Sequence, residues 1–102
     1  MLKGYVARVD YESIGLPLTA FVAIRPIDPA APDDAPVRLS GLPEIESCYS
    51  VAGEDFYLLL VRVQSPSDLE RLLQEIRTAA NVTTRTTVVL STPYEARTPR
   101  VS

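Results

Sequence analysis

Gly53-Glu54-Asp55 sets a glycine and two carboxylates in a row, directly ahead of an unbroken apolar run that ends at Val61. As a hairpin connection, the glycine supplies a positive φ and the acids stay in water. The same tip also has chemistry to offer. Exposed backbone N–H groups bond a carboxylate and an acid bonds an ammonium, so the tip suits a zwitterion. Thr83, Thr84, Thr86 and Thr87 form a second cluster. Threonine favours strands for its shape alone. Alternation nevertheless puts Thr84 and Thr86 on one strand face, where both hydroxyls reach the same side. Arg85 and Thr87 share the opposite face, and Arg85 reads as a surface or interface ion-pairing residue. Tyr57 joins a polar tip to an aromatic body and reads as a packed residue with one hydrogen bond. Cys48 reads as a small buried or half-buried hydrophobe with nothing beside it to make it a nucleophile.

Composition removes whole classes of chemistry. The chain has no histidine and one cysteine. A histidine-based triad, a histidine-ligated haem, a Cys/His zinc site and an intrachain disulfide are all excluded. No metal and no cofactor are expected. With a formal net charge of −3, the chain lacks the basic balance of a free-standing nucleic-acid binder. At 102 residues and 46% hydrophobic, it has the size and composition of one packed domain. The apolar runs are too short to span a membrane, Met1 opens no signal-peptide layout, and the cysteine usage fits a reducing cytoplasm.

The elements that must position these residues follow from periodicity. "LTAFVAIR", Leu18 to Arg25, alternates as a strand that is apolar on both faces and therefore central. "PIDPAAPDDAP" holds four of the nine prolines and three aspartates, and predicts an exposed loop. A helix of about two turns is expected next, capped by Asp33 or Asp34, started by Pro36 and stopped by Gly41 and Pro43. Its inward set is Val37, Leu39 and Leu42. "EIESCYSV" alternates Ile45, Ser47, Tyr49 and Val51 against Glu46, Cys48, Ser50 and Ala52, a half-exposed or edge strand. "FYLLLVRV" is a third strand. "SPSDLERLLQEIRTAANV" is the clearest helix: Ser65-Pro66 places a cap before a first-turn proline, Ser67 and Glu70 fit a capping box, and Asn81 suits the C-cap. Leu69, Leu72, Leu73, Ile76 and Ala80 make its apolar stripe, and Arg71 pairs with Glu75 on the other face. Thr83 to Thr92 is the last strand. Residues 1–17 read as linker and lead-in strand with strand character at Tyr5-Val6-Ala7, residues 18–93 as the functional domain, and 94–102 as a tail.

The order β-α-β-β-α-β predicts an α+β, ferredoxin-like sandwich: an antiparallel sheet with two helices on one face. Phe21, Ala23, Tyr57, Leu59, Val61 and Val89 sit at alternating strand positions. Whichever set faces away from the helices is too apolar to leave in water, so a homodimer packed sheet against sheet is expected.

With those elements in place, the chain resembles the effector-sensing domain of the Lrp/AsnC (leucine-responsive, or feast/famine) transcriptional regulators. "LKGYVARVDYESIGLPLTAFVAI" is similar to the family's linker and first strand. "LPEIESCYSVAGEDFYLLLVRV" is similar to its "L-P-x-V-x-x-x-x-x-V-x-G-x-x-D-Y-L-L-x-V", and "NVTTRTTVVLST" to its threonine-rich last strand. The resemblance implies a sensor of an amino acid or related small metabolite, with no enzymatic activity. It implies dimers that assemble to tetramers or octamers, and an effector held near the junction between dimers. Carried over by motif, the ligand-binding positions are Gly53, Glu54, Asp55, Phe56, Tyr57, Thr84 and Thr86. Many members place an aspartate three residues after the glycine, where this chain has Phe56. Asp55 lies one residue earlier, and a one-residue shift in a strand reverses the side chain. This departure implies an altered or weakened effector contact. DNA would be contacted only through a helix-turn-helix, which the family carries ahead of the Gly-Tyr pair. Met1 stands three residues before Gly4, so none is expected in this chain.

Two other readings fit the fold. Small dimeric ferredoxin-like enzymes, monooxygenases or isomerases, would need Glu54, Asp55 or Tyr57 as acid or base in a deep closed pocket. An ACT-like regulatory module shares both the fold and amino-acid ligands.

Overall fold

The computed structural model describes residues 16–30, 32–53 and 55–97. The lead-in strand expected at Tyr5-Val6-Ala7, together with Glu54, lies outside them. Six elements follow in the expected order: β1 (Leu18–Pro26), α1 (Ala35–Leu39), β2 (Ile45–Ser50), β3 (Tyr57–Val63), α2 (Pro66–Ala80) and β4 (Val82–Val88). The strands form one antiparallel sheet in the order β2-β3-β1-β4. This is the ferredoxin-like arrangement, with β1 and β3 central and β2 and β4 at the edges.

Register sorts the side chains into two faces. Ala20 pairs with Val61 and Val88, Val22 with Leu59 and Thr86, Ile24 with Tyr57 and Thr84. This set faces the helices. Ala20, Val22, Ile24, Leu59, Val61 and Val63 are buried there against Leu69, Leu72 and Ile76 of α2. Burying one leucine-sized side chain contributes about 1.5–3 kcal/mol, so this two-layer contact is the main source of stability. Phe21, Ala23, Leu58 and Leu60 take the opposite face, which neither described helix covers. Of the alternating residues named from sequence, Tyr57, Leu59 and Val61 therefore belong with the helices. Their neighbours Leu58 and Leu60 make the open apolar surface.

Several local expectations are corrected. β2 does not alternate cleanly, because its register slips between Ile45 and Ser47. The bulge leaves Ile45 on the helix side with Cys48 and Ser50, and turns Ser47 and Tyr49 to the open face. Cys48 is exposed rather than half-buried, since it lies on this edge strand. α1 buries Ala35 and Leu39, one turn apart, while Val37 points away and is 76% exposed. Asp34 occupies the N-cap position of α1 without a side-chain cap; its carboxylate pairs with Arg38 at 2.9 Å instead. In α2 the expected Ser65 cap forms, its Oγ accepting the Asp68 N–H at 3.2 Å, whereas the Ser67–Glu70 capping box is not the N-cap. Pro66 takes the first turn, where its missing N–H costs nothing. Asn81 ends the helix in the left-handed conformation at φ 55°, as its residue type suggests.

One arginine ties the periphery together. Arg71 bonds Asp68 at 2.9 Å, Glu75 at 2.7 Å and Glu44 at 2.8 Å, and so links α2 to the segment before β2. The Arg71 bond, followed by the Gln64 N–H, holds the Asp68 carboxyl below the usual carboxylate range. A depressed carboxyl stabilises the fold above its unfolded pKa, and that stabilisation is lost as pH falls through the folded value. Asp68→Asn is therefore expected to flatten the fall of the urea midpoint as pH drops through the carboxylate range. In the same assay Leu72→Ala should cost about 3 kcal/mol, since Leu72 is fully buried. Val37→Ala, at an exposed position, should stay within about 0.5 kcal/mol.

Candidate functional site

The β2–β3 connection is a wide hairpin whose closing bonds leave its tip free. The Val51 N–H donates to the Phe56 carbonyl at 3.3 Å, and the Phe56 N–H crosses to the Ile24 carbonyl at 3.0 Å. Inside that closure Gly53 has φ 120°, a conformation that side chains resist. Among the described residues, no backbone carbonyl takes the N–H of Ala52, Gly53 or Asp55. These N–H groups have no partner among the described residues, and Ala52, Gly53 and Asp55 line a shallow cleft of ≈ 260 Å³.

The cleft gathers Gly53, Asp55, Phe56 and Tyr57 with Ser50 and Asp33. Four of the seven residues singled out from sequence thus meet in one place, and Glu54 falls outside the described residues. Asp55 does not reach into water alone. Its Oδ2 is bonded to the Arg85 guanidinium, which stands on the sheet face away from the helices. Tyr57 starts β3, and its hydroxyl donates to Asp33 Oδ1 at 2.9 Å. That bond, then burial, then the Asp33 charge, pushes the Tyr57 phenol above its usual value.

Thr84 and Thr86 are not at the loop. They lie on β4, across β1 from Tyr57 and Leu59, and face the helix side. The Thr84 Oγ1 accepts from Arg77 of α2 at 3.0 Å. Within one protomer they do not join the loop cleft.

Asp33 is the residue that sequence reasoning passed over. The proline-rich segment reads only as an exposed connection, yet it carries an acid to the mouth of the hairpin. On the helix side of the Asp33–Tyr57 pair lies a second, more enclosed cleft of ≈ 140 Å³, walled by Ile24, Pro26, Pro29, Pro32, Phe56 and Val82. Arg38 and Asn81 stand at its edge. Neither cleft holds a group of acids, thiols or imidazoles arranged for a metal, and no such cluster occurs among the described residues. Although Cys48 is exposed, desolvation by the atoms around it pushes its thiol up, away from thiolate reactivity.

The model of the Lrp/AsnC ligand binding domain matches residues 19–99, and the chain belongs to that family, whose members regulate transcription. It is 59% identical over 97 residues to the HTH-type transcriptional regulator LrpA of Mycobacterium tuberculosis, a match covering 95% of this chain and 65% of that protein. It is 33% identical over 92 residues to the HTH-type transcriptional regulator Rv2324 of the same organism, covering 89% of this chain and 62% of that one. The chain therefore spans less than two thirds of the length of either relative. Among solved structures, the feast or famine regulatory protein of M. tuberculosis complexed with L-methionine superposes with a TM-score of 0.89 at 58% identity, covering 96% of this chain and 67% of that one.

The raised Tyr57 phenol gives a direct check on the pair. A phenol raised by its hydrogen bond contributes stability below its unfolded pKa, and that contribution is lost as pH rises through the folded value. Ultraviolet titration should show one tyrosine ionising later than free tyrosine. Asp33→Asn should bring that transition back toward the ordinary value.

Proposed function

We propose that this chain is the effector-binding and oligomerisation domain of an Lrp/AsnC-type transcriptional regulator, and that it senses an amino acid or related small metabolite between dimers. The observation that carries this reading is the β2–β3 hairpin, where Ala52, Gly53 and Asp55, whose N–H groups have no backbone partner among the described residues, line a shallow cleft with Asp33. Gly53, Glu54, Asp55, Phe56 and Tyr57 form the protomer's share of the site. Thr84 and Thr86, remote from the loop within one chain, contribute from a neighbouring subunit once dimers meet. The L-methionine bound in the similar structure from M. tuberculosis supports an amino acid as the effector class. The domain acts by binding alone, with no catalytic step. The open, shallow loop cleft favours this over an enzyme, which would need a deep closed pocket.

Dimerisation covers the open sheet face. Phe21, Ala23, Leu58 and Leu60 lie there, flanked by Tyr49 and by the charged Arg62 and Arg85. Two copies related by a two-fold axis bury this surface against each other. Dimers then pair into tetramers or octamers, with effector at the junction. By linkage, a ligand that binds one assembly more tightly shifts the population toward it, and assembly strengthens its binding by the same factor. In a regulator that carries a helix-turn-helix, this changes the spacing of the DNA-reading modules. Such a protein works in the cytoplasm, and among the described residues no helix is long and apolar enough to cross a membrane.

Native mass spectrometry during titration with the twenty amino acids tests the reading. At least one, L-methionine foremost, should bind and change the distribution of masses. If none binds and the masses stay constant, sensing by this domain is wrong. In the same measurement Phe21→Asp should weaken the dimer at least about a hundredfold, because it buries an unpaired carboxylate.

A further inference from the structure

Three carboxylates border the two clefts at the hairpin. Asp55 is paired with Arg85, and Asp34 with Arg38 at 2.9 Å. Asp33 accepts only the neutral Tyr57 hydroxyl at 2.9 Å, and among the described residues no arginine or lysine reaches it. Among the described residues no cation pairs with it, and one oxygen is already held by Tyr57. Asp33 also lines both clefts: the hairpin cleft with its open N–H donors, and the ≈ 140 Å³ apolar cleft beyond. The apolar cleft is about the size of a cavity that holds a benzene ring.

We propose that Asp33 is the specificity residue that receives a ligand's ammonium group, and that the proline-walled cleft beside it takes a compact apolar side chain. The proposal rests on the amino-acid-sensing reading and narrows it to apolar amino acids. The α-carbon of an amino acid carries an ammonium, a carboxylate and a side chain. The chain offers their three counterparts along two clefts that share Asp33. Asp33 meets the ammonium by a charge-assisted hydrogen bond. The N–H groups of Ala52 and Gly53 meet the carboxylate. Ile24, Pro26, Pro29, Pro32 and Val82 meet the side chain. Three prolines hold φ fixed along this wall, so little conformational freedom is lost when the cleft fills. The walls offer no cation to a second carboxylate except Arg38, which is engaged by Asp34. An acidic side chain is therefore rejected on desolvation cost.

Isothermal titration calorimetry of the whole chain tests this with L-methionine, its amine-free analogue 4-(methylsulfanyl)butanoate, and L-glutamate. Wild type should prefer L-methionine over both. Asp33→Asn should weaken L-methionine at least about tenfold, the loss of one charge-assisted bond, and should bind the amine-free analogue as wild type does. Tyr57→Phe should weaken L-methionine only a few-fold, since the carboxylate survives. Asp33 is exposed, and an unchanged urea midpoint would show that the variant folds. If Asp33→Asn binds L-methionine as tightly as wild type while Asp55→Asn loses it, the ammonium goes to Asp55 and the assignment fails, though sensing stands. Tighter binding of L-glutamate than of L-methionine sinks the apolar cleft and leaves sensing intact. No binding of any amino acid sinks both.

Discussion

The fold depends on one contact, the burial of a single stripe of the two central strands under α2. Ala20, Val22 and Ile24 of β1 and Leu59, Val61 and Val63 of β3 lie side by side, and Leu69, Leu72 and Ile76 close over them. Every other feature is fixed relative to that layer. The hairpin is anchored because the Phe56 N–H bonds the Ile24 carbonyl at the end of the stripe. The proline segment returns over the same end, since Ala35 and Leu39 must enter the core. The acid Asp33 from one connection and the hairpin from another are thus brought to the same end of the sheet.

That corner also sets a division of electrostatic labour. Arginines neutralise Asp34 and Asp55 and pin the segments that carry them. Such exposed pairs contribute little stability, about 0–1 kcal/mol each, but they determine which acid remains available. The Asp55–Arg85 pair has a second effect. It joins the hairpin to the sheet face on which copies of the chain would pack, so the loop and that surface share a charged residue.

Elements with a strong period were legible in the sequence. β1, β3 and α2 announce themselves by alternation or by a 3.6-residue stripe, and the element order follows from them. What the sequence concealed was backbone detail. The Ile45/Ser47 bulge reverses the far half of β2, and no side-chain pattern signals an inserted residue. α1 is only five residues long, so one step of rotation decided whether Val37 or Ala35 went inward. At the site, the glycine hairpin could be read from its motif. Asp33 could not, because proximity between a proline loop and Tyr57, 24 residues apart, is a product of the tertiary fold. The one available hint was an acid pair placed where the loop had to re-enter the core.

The sheet order has a consequence for synthesis. β1 is the first described strand to leave the ribosome, yet its neighbours are β3 and β4, so both of its edges wait for later sequence. At common translation rates that interval is on the order of several seconds. Throughout it, an apolar strand with two unpaired edges is available to any other nascent chain. The prolines and aspartates that follow β1 immediately are poor partners for strand addition. They act as gatekeepers that confine the exposure to β1 itself until the rest of the sheet arrives.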